Sequence, residues 1–174
     1  MIERPFVASD VPLVNDASRA ILAKWYGVSG VYAKALAVSA LGPNFFYRRQ
    51  GSPEEAERRA LQACGSYAGV PCMIVAVNDS FVVPITTTMK ITGLFRARDD
   101  PALAPDAREM VAHRIGNALG GWSAVAAGSA GRAGVSTKAT SEQVAIDAAM
   151  AECSGQDRNC RIVAVGPFSV GPRN

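Results

Sequence analysis

The chain has a single histidine, four cysteines and only 19% charged residues in 174. With one histidine there is no multi-histidine metal centre, and no serine or cysteine has an evident partner base for nucleophilic catalysis. No apolar run reaches the roughly 18–20 residues that a membrane span requires, which excludes a transmembrane helix. The formal net charge of +3 is too mild to point to nucleic acid as a partner. What the chain does have is apolar material. At 49% hydrophobic it can fill a core, and a disordered chain is excluded. The length suits one ordinary domain or two small fused units.

The dominant signal is an internal repeat, the first pattern to seek in any chain. At an offset of 89 residues, Ile2 and Phe6 fall on Ile91 and Phe95, Arg19 on Arg108, and Ala35-Leu36-Ala37 on Ala124-Val125-Ala126. Ser52, Ala56 and Cys64 fall on Ser141, Ala145 and Cys153. One deletion then moves the offset to 88, where Cys72-Met73-Ile74-Val75-Ala76-Val77 matches Cys160-Arg161-Ile162-Val163-Ala164-Val165. The chain therefore reads as a duplicated α-β-β-α-β unit, residues 1–89 and 90–174. The expected fold is α+β, one compact domain over 1–174 in which two repeats share a mostly antiparallel sheet about a pseudo-twofold axis.

Each copy has the same local grammar. A short extended lead ends at Asp10 or Asp99, and helices are predicted over Pro12–Tyr26 and Pro105–Leu119, the second with a stripe of Met110, Val111, Ile115 and Ala118. Strands follow at Lys34–Ser39 and Ser123–Ala127, then at Asn44–Arg49 and Gly134–Lys138. Ser52-Pro53-Glu54-Glu55 is a capping box with proline in the first turn. Beyond it Ala56, Ala60 and Cys64 share one helix face, as do Ala145, Ala149 and Cys153, with Leu61 and Met150 widening it. Strands at Cys72–Val77 and Cys160–Val165 close the units, and Phe81–Ile85 is expected as an extra strand. Alanines on the strands facing alanines on these helices allow close helix-on-sheet packing. The junction Thr86–Gly93 lacks the composition of a long flexible linker.

In each copy two cysteines join a helix end to a strand start. The loop between them changed length while both cysteines persisted, which favours local bridges Cys64–Cys72 and Cys153–Cys160. Buried free thiols and a zinc site stand as the alternatives. Bridges would imply an oxidising compartment. Met1-Ile2-Glu3-Arg4-Pro5 lacks a basic stretch followed by an apolar core. The expectation is accordingly a periplasmic or secreted part of a longer precursor.

Other candidates have plain readings. His113 lies off its helix stripe and reads as solvated, Trp25, Tyr26 and Trp122 as core packing, and Arg58-Arg59 as a solvated helix face. Gly128–Gly134 resembles a phosphate loop only in glycine content. It lacks the Gly-Lys-Ser/Thr ending and aligns with the hairpin turn at Gly42. Asn44-Phe45-Phe46-Tyr47-Arg48-Arg49 is the most informative stretch, because its counterpart has lost the aromatics. Phe45, Tyr47, Arg48 and Arg49 are the candidate partner contacts, suited to stacking a sugar or holding an anionic partner.

Ser52–Cys64 followed by Pro71–Asp79, with Lys34–Ser39 and Gly121–Ala126 before the two helices, resembles the small cysteine-paired domains of exported alphaproteobacterial proteins known as the DUF4189 type. The resemblance covers nearly the whole chain as a tandem pair. It implies export and intradomain disulfides at Cys64, Cys72, Cys153 and Cys160. It brings no catalytic residue, cofactor or metal ligand. The expected function is a non-enzymatic binding or accessory module of an envelope protein, its partner a protein, a glycan or an envelope component. A sensory domain of a larger signalling protein and a hydrolase or transferase of unrecognised type are the alternatives.

Overall fold

The computed structural model describes residues 4–173. The chain divides after Val83 into two compact units. The first runs through β1 (Arg4–Pro5), a 3-10 turn, α1 (Asp16–Trp25), β2 (Ala35–Ser39), β3 (Asn44–Tyr47), α2 (Pro53–Ala68), β4 (Cys72–Val77) and β5 (Ser80–Phe81). The second runs through β6 (Lys90–Leu94), a 3-10 turn, α3 (Pro105–Gly116), β7 (Trp122–Ala127), β8 (Ala133–Ala139), α4 (Glu142–Ser154), β9 (Arg161–Val165) and β10 (Phe168–Gly171).

The class is α+β, with antiparallel strands and helices packed on them. The expectation of one sheet shared by both repeats is corrected. Each unit has its own five-stranded sheet, in the orders β1-β5-β4-β2-β3 and β6-β10-β9-β7-β8. The cause is local: the lead strand of each unit pairs with that unit's own closing strand, β1 with β5 and β6 with β10. Residues 90–93 of the expected junction 86–93 thus belong to the first strand of the second sheet, within the extended lead expected before Asp99.

The central strands of the two sheets keep the same register. Ala35 pairs with Tyr47 and Ala37 with Phe45, as Ala124 pairs with Ser136 and Ala126 with Gly134. The pairing of β2 with β4 slips between Leu36 and Ala37, and that of β7 with β9 slips between Val125 and Ala126. A bulge re-aims the side chains on one strand, so its recurrence at the equivalent step keeps the same faces buried in both units.

Side chains alternate across a strand, and the units use both faces. Ala35 and Ala37 pack on Ala56, Ala60 and Cys64 of α2. Ala124 and Ala126 pack on Ala145, Ala149 and Cys153 of α4. On the opposite face Val125, Val135 and Val163 meet Ala107 and Val111 of α3, and in the first unit Tyr26, just past α1, meets Phe46 and Phe6. Helix phase explains three departures from expectation. Leu22 and Tyr26 lie one turn apart and are buried, which turns Trp25 outward. Leu61 lies a residue past the Ala56–Ala60–Cys64 line, and Met110 a residue before Val111, so both are exposed. Ser52 and Ser141 cap α2 and α4 by accepting from the Glu55 and Val144 amides. Disulfides Cys64–Cys72 and Cys153–Cys160 tie each of these helices to its following strand, with 6.1 Å between Cα atoms in both.

Candidate functional site

The outer edge of the first sheet is β3, and it carries the aromatic and basic stretch. Phe45 and Tyr47 lie on the α2 face, half-buried against the alanine cluster. Phe45 also meets the ring of Tyr67, which is 73% exposed, at 5.4 Å between centroids. Arg48 turns to the other face. Its guanidinium donates to the Trp25 carbonyl and lies over the Trp25 ring at 5.6 Å. Arg49 is exposed and holds a left-handed backbone, φ +56°. Of the four predicted contacts, Phe45 and Tyr47 therefore lie on one face of the edge strand, Arg48 just past its end turns to the other, and Arg49 is exposed beyond it.

Between β3 and α2 lies an open hollow of about 440 Å³, lined by Tyr47, Arg58, Arg59, Gln62, Ala63 and Ser66. Arg58 and Arg59 share one carboxylate, Glu55, which the Arg58 hydrogen bond first and the Arg59 bond next hold below its ordinary pKa. Two guanidiniums against one carboxylate leave the hollow cationic. Sequence reading missed Gln62, Ser66 and Tyr67. Positions 58, 62 and 66 recur at helical spacing beside the buried 56–60–64 line, a signal that was there to be used.

The equivalent edge of the second unit is closed at Val135. Gly134 stands where the first unit has Phe45, and a Cβ there would lie 2.0 Å from the Ala149 carbonyl oxygen. The helix backbone therefore lies directly on β8. Glu152 of α4 accepts from the Val135 amide at 3.0 Å, Arg114 of α3 donates to the Val135 carbonyl at 2.6 Å, and the two side chains pair with each other. Both outward-facing groups of the edge residue are thus satisfied. The counterparts of Arg114 and Glu152 in the first unit are Trp25 and Ala63, and that of Val135 is Phe46. Among the described residues, no hydrogen bond outside the sheet reaches the Phe46 amide or carbonyl.

A second polar cluster in the first unit is structural. Lys34 is 1% exposed, and its ammonium donates to the Tyr26 and Val28 carbonyls and pairs with Asp79. Three donors meet three acceptors. Lys34 holds the Asp79 carboxyl below its usual range, with the Gly30 amide and the Tyr32 hydroxyl adding to it. Burial, then the charge of Asp79, pushes the Tyr26 hydroxyl up.

In the second unit the glycine-rich turn already holds an internal anion. The Asp157 carboxylate accepts from the amides of Ala130, Arg132 and Arg158, so these amides are not open to phosphate. His113 is exposed and bonds only to Asn117, one turn away on its own helix. The cysteines are consumed in the bridges, and among the described residues no three of His, Cys, Asp or Glu gather to hold a metal ion. No described helix is long and apolar enough to cross a membrane.

No family model, curated protein or solved structure matches this chain.

Proposed function

We propose that the chain is a non-enzymatic binding module of an exported envelope protein, and that its partner docks on the β3–α2 edge of the first unit. The observation that carries this reading is the contrast between two equivalent edges. That of β8 is capped at Val135 by Arg114 and Glu152, whereas that of β3 has no such cap at Phe46 and is flanked by Tyr47, Arg49, Arg58, Arg59 and Tyr67. Duplicated halves that keep the same register and bulge, yet diverge here, are what gene doubling followed by specialisation of one copy produces. Two disulfides suit an oxidising compartment, and the likeness to exported cysteine-paired domains supports the same address.

The test is a binding screen against envelope proteins and glycans. It compares the native chain with a Tyr47→Ala, Arg48→Ala, Arg49→Ala variant whose fold is checked by circular dichroism. Loss of the detected interactions is expected. A folded variant that keeps all of them overturns the proposed face. Mass spectrometry after thiol alkylation of protein from non-reducing cell fractions tests the compartment: four alkylated cysteines contradict export.

A further inference from the structure

We propose that the open edge of β3 accepts an extended acidic peptide segment as an added strand. This rests on the reading of that edge as the binding face, and names what the face takes. An edge strand offers unpaired amide and carbonyl groups as a template for another chain. On β3 the residue that does so is Phe46. The Ser39 amide donates to the Pro43 carbonyl, and hydrogen-bonded pairs alternate along an antiparallel ladder, so Phe45 and Tyr47 turn their polar groups to β2 and Phe46 turns its own outward, as Val135 does in the second unit.

The second unit shows what fills this edge when nothing is to bind. There the Arg114–Glu152 pair supplies an acceptor to the amide and a donor to the carbonyl, the same two bonds an added strand would make. In the first unit Ala63 stands in place of the carboxylate and Trp25 in place of the guanidinium. Ala63 lines the hollow beside the edge, and Phe45, replacing Gly134, bars α2 from the close approach that α4 makes. Both changes leave room for a strand.

Charge selects the occupant. Side chains of an added strand alternate between its two faces. On the α2 face they would meet Arg58 and Arg59, which carry a net positive charge beside Glu55, with Gln62 one turn on and Tyr67 beyond, and no carboxylate lines that hollow. On the other face they would meet the Trp25 ring with Arg48 upon it, and exposed Arg49 stands at the strand's end. Carboxylates on alternate residues match this pattern. A second copy of the chain would instead bring its own arginines against these, since like charges oppose pairing.

The test uses the intact chain and a fluorescent peptide, Thr-Glu-Val-Glu-Val-Glu-Thr, read by anisotropy. Three comparisons accompany it: the peptide with Lys for Glu, the peptide N-methylated at alternate residues in both phases, and the protein variant Trp25→Arg with Ala63→Glu, which transplants the clamp. The acidic peptide is expected to bind and to slow hydrogen exchange at the Phe46 amide. One phase of N-methylation is expected to weaken binding about tenfold or more, the Lys peptide to fail, and the transplanted clamp to weaken binding by a similar factor. The methylated peptides leave the protein untouched, so they decide the matter even if the variant misfolds. Equal binding by both methylated peptides overturns strand addition but leaves the face as a charged docking surface. Absence of binding by the acidic peptide overturns the proposal, while the Tyr47, Arg48 and Arg49 screen judges the face independently. Self-association abolished by the clamp variant overturns it in favour of a second copy.

Discussion

Lys34 and Asp79 form an ion pair at 2.6 Å in which the lysine is 1% exposed and the aspartate 35%. The ammonium is the buried partner, and it is also the hub that ties Tyr26 and Val28, at the end of α1, to the start of β2. Removing one member of such a pair costs more than the pair contributes, because the other is left uncompensated. Asp79→Asn is therefore expected to destabilise the first unit by about 2 kcal/mol, below the range for fully buried pairs because the carboxylate is partly solvated. Lys34→Met combined with Asp79→Asn should cost clearly less than the sum of the two single changes. Urea unfolding followed by Trp25 fluorescence in a Trp122→Phe background measures this. Strict additivity would show that the pair is not coupled.

Helix-on-sheet distance is set by the smallest residues, and Gly134 is the limiting case. A methyl group there meets the backbone of α4, with Cβ 2.0 Å from the Ala149 oxygen and 2.4 Å from the Cys153 nitrogen. Backbone cannot step aside as a side-chain tip can. Gly134→Ala is expected to cost about 3 kcal/mol, and Ala37→Leu or Ala126→Leu about 1–3 kcal/mol by overpacking the same layer. Thermal melts of the three variants check this. A melt unchanged by any one of them would contradict the packing described for that position.

The element order, the alanine layer and both bridges were legible because they depend on local period and on repetition. Ala56, Ala60 and Cys64 stand four residues apart, and Ala35 and Ala37 alternate, so their faces follow from backbone geometry alone. Which edge pairs with which is a different kind of fact. The stretch Lys90–Leu94 has no fully buried residue, and a strand defined by its hydrogen bonds to β10 leaves little hydrophobic trace. Lys34 was equally hidden, since its acceptors lie 6, 8 and 45 residues away and two of them are main-chain carbonyls. At the candidate edge, the chemistry of Tyr47, Arg48 and Arg49 and the alternation of faces along the strand could be read, but not the seat of Arg48 on Trp25. The clamp had left a mark: aligned copies differ as Trp25 to Arg114 and Ala63 to Glu152, a charge pair present at both positions in one copy and absent from both in the other.

Each disulfide closes a short loop, with separations of 8 and 7 residues. In the chain-entropy account a loop of this size constrains the unfolded state by about 2.5 kcal/mol. Replacing Cys64 and Cys72 by alanine, or Cys153 and Cys160, is expected to lower the stability of the unit concerned by about that amount. Half-sized units bury a modest fraction of their surface, so a loss of this size should be plain in urea unfolding. Reduction of the native chain should reproduce the sum of the two effects. A reduced chain as stable as the oxidised one would assign the bridges no part in holding the fold.

Acid should weaken the second unit in part through Glu142. Glu142, at the start of α4, is gripped by the hydroxyls of Thr86 and Thr88 and by the Thr87 amide. Burial alone would raise its pKa, but these bonds to the charged form outweigh it and hold the carboxyl below its ordinary value. In the unfolded chain the group returns to about 4.3. Between the folded value and that one, the unfolded state binds more protons, so stability rises with pH. The contribution is fully present above the unfolded value and is lost as pH falls through the folded one. Glu142→Gln should therefore be less stable than the native chain at pH 7, with the gap narrowing steadily from pH 5 downward. Urea unfolding at pH 3, 4, 5 and 7, followed by Trp122 fluorescence in a Trp25→Phe background, measures that gap. A gap independent of pH would mean that the threonines hold the glutamate by shape and not by its charge.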